Sequence, residues 1–442
     1  MNKRILTLML ALSAGLGLSV NAWANTDADK APSRGEYLAR AGDCIACHTA
    51  KDGEPFAGGL AMSSPVGVIY STNITPDPTH GIGQYSLADF DRAVRHGQAK
   101  AGHHLYPAMP FTAYAKVTDD DLKALYDYFM NEVQPVAKAN QPTAIEAPMN
   151  QRWPLAIWGK LFHDSSVFKP DPAASDEVNR GAYLVQGLGH CGTCHTPRNV
   201  AMQEKGLTGK DTQYLAGAYL DGWWAPSLRG MDFDQADLVR LLQDGHARKT
   251  SFSGPMAEVV SESLQYLNTD DVNSMVAYLN SLSSEPVKAN KPATLPEAVK
   301  RQGQGTYMMY CSSCHGVNGK GFDYVVPELA NNGRMNVTLT NAVQVILHGA
   351  KTPITSGQTA YHMPGYGKLL SDEEVASVAN YIGTSWGNAA PVIEASEVAK
   401  IRTGPKPISA MAVVGGIAAA GIVGLLLLVW VLRKFFGRKK RR

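Results

Sequence analysis

Two apolar runs frame the chain. Residues 5–20 follow Lys3 and Arg4 and lead into Ala22-Trp23-Ala24, a small-x-small cleavage site, so residues 1–24 read as a secretory signal peptide. Residues 408–432 contain no charge and no proline. As a helix they would extend roughly 37 Å, enough to cross a hydrocarbon core of about 30 Å with some tilt. Arg433, Lys434 and the basic run Arg438–Arg442 follow at once, which predicts a transmembrane helix with its C-terminal tail on the cytoplasmic side. Within the span, Ala412, Gly416, Ala420 and Gly424 recur every fourth residue, a stripe that either admits a second helix or merely reflects a Gly- and Ala-rich anchor.

Between these runs the polar and apolar positions follow a helical period, and the order of elements repeats three times. Each repeat opens with a glycine followed by an aromatic: Gly35/Tyr37, Gly181/Tyr183 and Gly305/Tyr307. A second helical stretch then ends at a glycine, over 86–96 before Gly97, 234–244 before Gly245 and 341–348 before Gly349. A capped helix closes each repeat: Thr118 with Asp121 and Tyr128, Asn268 with Asp271 and Tyr278, Ser371 with Glu374 and Tyr381. Acids in those first turns suit the helix dipole. Proline-rich stretches separate the repeats and are expected to be ordered linkers.

Charge changes the picture by its placement. The whole chain is nearly neutral, at +2, but nine of its 41 cations lie in the two end segments. Residues 25–432 are left with 32 bases against 39 acids, which disfavours a nucleic-acid-binding body.

Six cysteines in an exported chain would ordinarily suggest disulfides. Here they fall as Cys44-x-x-Cys47-His48, Cys191-x-x-Cys194-His195 and Cys311-x-x-Cys314-His315, consuming all six. C-x-x-C-H is the attachment signature of a c-type haem. Two thiols three positions apart on one helical turn can add to the two vinyl groups of one porphyrin, and the adjacent imidazole then faces the iron. A zinc site would need four protein ligands, which no pair supplies, and a thioredoxin-like dithiol does not call for a trailing histidine three times over.

The order of helix, C-x-x-C-H, loop, helix, loop and capped helix resembles the class I cytochrome c fold. That resemblance implies an all-α chain of three tandem class I cytochrome c domains plus one C-terminal transmembrane helix. The domains fall at 25–135, 179–284 and 299–390, with linkers at 136–178, 285–298 and 391–407, the span at 408–432 and a basic tail at 433–442. In that fold the first and last helices cross at a glycine and an aromatic, and a methionine on the loop before the last helix supplies the second axial ligand. Met109, Met256 and Met363 each sit beside a proline in the right loop, which implies His48/Met109, His195/Met256 and His315/Met363 as the iron ligands. His103, His104 and His362 are the rivals. His/Met ligation raises the potential and leaves no open coordination site, so the chemistry is electron transfer.

A triplicated haem protein of this kind is similar to the cytochrome c subunits of bacterial membrane-bound alcohol, aldehyde and sugar-acid dehydrogenases. The resemblance implies three covalent haem c groups and a flavoprotein or quinoprotein catalytic partner. It also implies electron delivery to ubiquinone and a place on the periplasmic face of the inner membrane. The terminal span points to the gluconate 2-dehydrogenase type, with FAD on the partner subunit alone. A quinoprotein (PQQ) alcohol or aldehyde dehydrogenase cytochrome is the alternative. A cytochrome subunit of a terminal oxidase or nitric oxide reductase, and a peroxidase with one labile sixth site, are further rivals. Trp153, Trp158 and Phe162 in the first linker, with Trp223 and Trp224, face either a partner or quinone on one reading and the core on the other.

Overall fold

The computed structural model describes residues 31–230, 234–283, 291, 293–356, 359–404 and 415–416. The expected signal peptide and basic tail lie outside the described residues, as does the 408–432 span except for Gly415 and Gly416. Among the described residues no helix is long and apolar enough to cross a membrane.

The first repeat runs α1 (Arg34–Ala41), α2 (Cys44–His48), a hairpin of β1 (Ala61–Ser64) and β2 (Gly67–Tyr70), α3 (Leu87–His96), α4 (Phe111–Tyr114) and α5 (Asp119–Asn131). The segment read as a first linker then adds β3 (Ala144–Ile145) antiparallel to β2 and α6 (Trp153–Phe162). In the second repeat come α7 (Asp176–Tyr183), a π-helical turn over Leu184–Leu188, α8 (Gly192–His195), the pair β4 (Ala218–Leu220) and β5 (Trp223–Ala225), and α9 (Gln235–Asp244). There follow the pair β6 (His246–Ala247) and β7 (Thr250–Ser251), α10 (Pro255–Glu262) and α11 (Thr269–Ser281). The third has α12 (Glu297–Tyr310), α13 (Ser312–His315), α14 (Thr340–His348), the pair β8 (Ala350–Lys351) and β9 (His362–Met363), α15 (Asp372–Thr384) and α16 (Ala395–Thr403). The chain is therefore helix-rich but not purely α. Short antiparallel pairs follow the first two C-x-x-C-H segments and flank the second and third methionines, and isolated bridges, Phe322 with Val326 and Gln98 with His104, take their place after the third motif and before Met109.

The three closing helices begin where their polar side chains dictate. The hydroxyls of Thr118 and Ser371 and the side-chain oxygen of Asn268 accept from the amides of Asp121, Glu374 and Asp271. Each closing helix packs across the opening helix of its own repeat: α5 on α1, α11 on α7, α15 on α12. The crossing needs a glycine. A Cβ on Gly35, Gly181 or Gly303 would come within 2.5, 2.8 and 2.8 Å of the Cβ atoms of Tyr128, Tyr278 and Tyr381. In the third repeat the contact is made by Gly303, not by the expected Gly305, which has open space around it. The expectation failed because the spacing from crossing glycine to first cysteine varies: Gly35 to Cys44, Gly181 to Cys191 and Gly303 to Cys311. The π turn in the second repeat absorbs its extra residue.

One buried apolar cluster runs through repeats one and two, joining Tyr114 and Val117 to Tyr183, Leu184 and Leu188. The third repeat has its own cluster around Tyr307, Val375 and Val378. The segment 391–407, expected as a linker, carries α16, which packs on α14 and α15. Arg402 pins it, its Nε 2.7 Å from Asp372 Oδ1.

Candidate haem-attachment sites

The three C-x-x-C-H segments form short helices whose surroundings recur atom for atom. His48 Nδ1 lies 2.7 Å from the Thr72 carbonyl, His195 Nδ1 2.7 Å from that of Pro226, and His315 Nδ1 3.2 Å from that of Pro327. A carbonyl only accepts, so each Nδ1 carries the proton and donates, and Nε2 keeps its lone pair free for a metal. Burial holds all three imidazoles below the ordinary histidine range, hence neutral at pH 7, the form that ligates iron.

A second contact fixes each histidine from its own backbone. The carbonyls of His48, His195 and His315 accept from the amides of Gly58, Gly217 and Gly321 at 2.7, 2.8 and 2.9 Å. All three glycines have positive φ, at 65°, 90° and 60°. Each also lies against the segment that offers the Nδ1 acceptor, beside Thr72, Ser227 and Pro327 respectively. A Cβ there would meet both a strained backbone and an occupied space. Sequence reasoning missed these glycines and carbonyls because a main-chain acceptor leaves no residue-type signature and the glycines follow their histidines by 10, 22 and six positions.

None of the six cysteines is in a disulfide. Burial pushes the thiols of Cys44, Cys47 and Cys191 up to about 12 and Cys311 up to about 11, so they are protonated and poor dithiol redox centres. The first two motifs adjoin across the repeat boundary. Helix α10, which carries Met256 and Glu258, touches α2.

The methionines are placed differently from one another. Met109 lines a cavity of about 410 Å³ together with Cys44, Cys47 and His48, which is within the usual range of cofactor pockets. Met256 sits in the first turn of α10, half-buried against the core that also receives Cys191. Met363 lies in β9, paired through its backbone with Ala350. Of the rival histidines, His103 lines the first cavity, the His104 carbonyl accepts from Arg152, and His362 pairs through its backbone with Lys351 beside Met363. The cavity fits a covalent haem: two unpaired thiols, a neutral imidazole with Nε2 free, a thioether, and walls of Ile74, Ile82, Phe90 and Phe129.

Some of the tryptophans turn inward. Trp158 donates its indole N–H to the Ala201 carbonyl at 2.8 Å and packs on Phe111, and Trp223 lies against Gly254 beside the Met256 strap. Trp153 is 68% exposed.

Fold and site together define a c-type cytochrome, and the comparisons agree on that class. A family model described as "Cytochrome C oxidase, cbb3-type, subunit III" matches residues 298–382, the third repeat. The gluconate 2-dehydrogenase cytochrome c subunit of Pantoea cypripedii is 44% identical over 425 residues, covering 91% of this chain and 95% of the relative. An alcohol dehydrogenase (quinone) cytochrome c subunit from Gluconacetobacter polyoxogenes is 43% identical over 87% of this chain and 86% of its own. The fructose dehydrogenase cytochrome subunit of Gluconobacter japonicus is 37% identical, covering 93% and 91%. The chain belongs to this family of dehydrogenase cytochrome c subunits.

Proposed function

We propose that this chain is a three-haem relay that takes electrons from a separate catalytic dehydrogenase and passes them to ubiquinone. Its three class I cytochrome c domains, at 25–135, 179–284 and 299–390, would each hold one haem c. The attachment pairs are Cys44/Cys47, Cys191/Cys194 and Cys311/Cys314, with axial ligands His48/Met109, His195/Met256 and His315/Met363. Bound haem supplies a reversible one-electron couple, and the protein's part is to fix both axial sides and exclude water. The observation that carries the reading is the threefold recurrence of a neutral histidine with Nδ1 tied to a carbonyl beside two unpaired thiols. Adjacency of the first two motifs favours rapid transfer between their haems.

On this reading the 1–24 signal exports the body, and 408–432 tethers it to the periplasmic face of the inner membrane with the tail inside. The apolar span favours a gluconate 2-dehydrogenase complex with FAD on the catalytic subunit. The near-equal identity to a quinone-type alcohol dehydrogenase cytochrome supports a PQQ-bearing partner as the second reading. The test is purification through the C-terminal tail in mild detergent, followed by addition of gluconate, ethanol or fructose. Haem reduction by gluconate with a flavin-bearing partner is the expected result. Reduction by ethanol with a quinoprotein partner selects the second reading, and a polytopic copper-bearing partner overturns both.

A further inference from the structure

We propose that Arg152, delivered by the segment after the first repeat, is the cationic partner of the two carboxylates of the haem at the first site. This rests on the reading that Cys44 and Cys47 carry that haem.

The segment is brought to the cavity by β3, which pairs with β2 and so turns residues 140–152 back over the first repeat. Asn140, Gln141, Thr143 and Arg152 line the same cavity as His48 and Met109. Arg152 is the one Lys or Arg among the lining residues. Its guanidinium has five N–H donors and here meets only neutral partners. Nη1 donates to the His104 carbonyl at 3.0 Å, Nη2 reaches the Thr143 hydroxyl at 3.5 Å, and the group lies 4.5 Å from the centre of the Tyr106 ring. Among the described residues no carboxylate is within salt-bridge distance of it, whereas Arg34, Arg180 and Arg402 each hold an aspartate.

A half-buried arginine without an anion, facing a cavity, is a recognition group for carboxylate. Porphyrin chemistry supplies two carboxylates, on the edge opposite the vinyl groups. Cys44 and Cys47 fix the vinyl edge, where Tyr114 donates to the Gly42 carbonyl and Asp43 is the one acidic lining residue. The carboxylate edge is thereby directed away from Asp43 and toward the remaining wall. Burial first, then the Arg152 charge, holds His103, on that wall, below its ordinary range. Neutralising the carboxylates removes negative charge near the iron, which favours the reduced state and raises that haem's potential.

The experiment is spectroelectrochemical titration of the full-length detergent-solubilised holoprotein as wild type, Arg152→Gln, Arg152→Lys and a Cys44→Ala/Cys47→Ala control. The control identifies the redox wave of the first haem. Arg152→Gln should lower the midpoint of that wave alone, leave three haems per chain, and shift the propionate-bending modes in resonance Raman, with Arg152→Lys restoring part of each change. An unchanged midpoint and unchanged Raman modes in Arg152→Gln overturn the proposal, as does an equal shift of all three waves. If the control removes no wave and no haem, the reading of Cys44 and Cys47 as the attachment pair fails, and this proposal fails with it.

Discussion

The Tyr37 hydroxyl donates to Asp271 Oδ2 at 2.6 Å, and the Tyr183 hydroxyl donates to Asp121 Oδ2 at the same distance. The first bond runs from repeat one to repeat two and the second runs back, so the two repeats clasp each other through equivalent residues. Each acceptor is the third residue of a closing helix and is also held by the arginine before its own crossing glycine. Arg34 Nε is 2.8 Å from Asp121, and Arg180 Nε is 2.7 Å from Asp271. Both aspartates are buried. The third repeat lacks this clasp: Gln302 and Gly305 stand where Arg34 and Tyr37 stand. It joins repeat two instead through Trp224 with Asn341 and through the Ile354 and Ser356 amides bonded to Ser261 and Gln265.

Removing one clasping hydroxyl takes a bond from a buried charged acceptor, a loss of about 1–2 kcal/mol. Tyr37→Phe and Tyr183→Phe should each lower stability by that amount in denaturant titrations followed by a repeat-one probe. The double variant should be non-additive, because Arg180, which holds Asp271, also lies over the Tyr183 ring and so joins the two bonds in one network. A double-mutant cycle of Tyr37→Phe with Asp271→Asn should show coupling near 1 kcal/mol. The Asp271 carboxyl is buried, yet its bonds to Arg180 and Tyr37 hold it below the usual range. Its contribution is complete above the unfolded value of about 3.9 and is lost as pH falls through the folded one, so the clasp should weaken in acid.

The two candidate glycines of the third repeat separate packing from mere presence. Gly303→Ala sets a methyl against the Ser377 carbonyl and the Tyr381 side chain, so α12 must part from α15. Gly305→Ala meets nothing and replaces a mid-helix glycine, which should stabilise by about 0.5–1 kcal/mol. Thermal melts and pyridine-haemochrome ratios of the two variants should therefore move in opposite directions or, for the ratio, fall only in Gly303→Ala.

That contrast shows what the sequence carried. Caps, end glycines and C-x-x-C-H are local chemistry, and Thr118, Asn268, Ser371, Gly97, Gly245 and His48 occupy the places their residue types require. Registration across a crossing is not local. Gly303 and Gly305 are both plausible on an opening helix until α15 selects one. The clasp joins residues more than 200 positions apart in one direction and 62 in the other, and Tyr37 and Tyr183 had signalled only an intra-repeat aromatic. Arg152 was hidden by its location in a proline-rich stretch, where the hairpin partner β3 is two residues long.

Asp43 precedes Cys44 with a φ of 52°, and its Oδ1 is buried without a partner. Burial, then the charges of Glu258 and Glu262, push its carboxyl up to about 8, against the pull of Arg40. A folded value above the unfolded one means that the native state binds the extra proton, so stability falls as pH rises from about 4 to 8. Asp43→Asn, which tolerates the same backbone, should match wild type near pH 4 and melt higher at pH 8. Equal melting differences at both pH values would refute the assignment of that cost to ionisation.

The histidine-holding glycines predict a local lesion. Gly321→Ala forces a side chain into the left-handed region against Val326 and Pro327, whose carbonyl fixes His315. The third imidazole then loses its orientation while repeats one and two, with their separate core, keep theirs. On the proposed attachment the thioethers of Cys311 and Cys314 keep the third haem in place, so haem content should stay constant while the third midpoint and low-spin signal change and the other two midpoints are unaltered.

The proposed axial methionines can be tested one repeat at a time. Met109 shares a cavity with His48 and packs against the core common to repeats one and two, so on the proposed ligation Met109→Ala opens the sixth position of the first haem while repeat three, with its own core, is left intact. A thioether favours the reduced iron more than water or a nitrogen ligand does, so one midpoint should drop and one of three low-spin signals in electron paramagnetic resonance should become high-spin. Met363→Ala should do the same to the third haem alone. Met256→Ala is the sharpest of the three, because Met256 rides on a helix that also leans on α2. If Met256 ligates the second iron, its low-spin signal is lost while the first haem keeps its midpoint. If Met256 is only packing between the two repeats, all three signals stay low-spin and the change appears as a lower melting temperature.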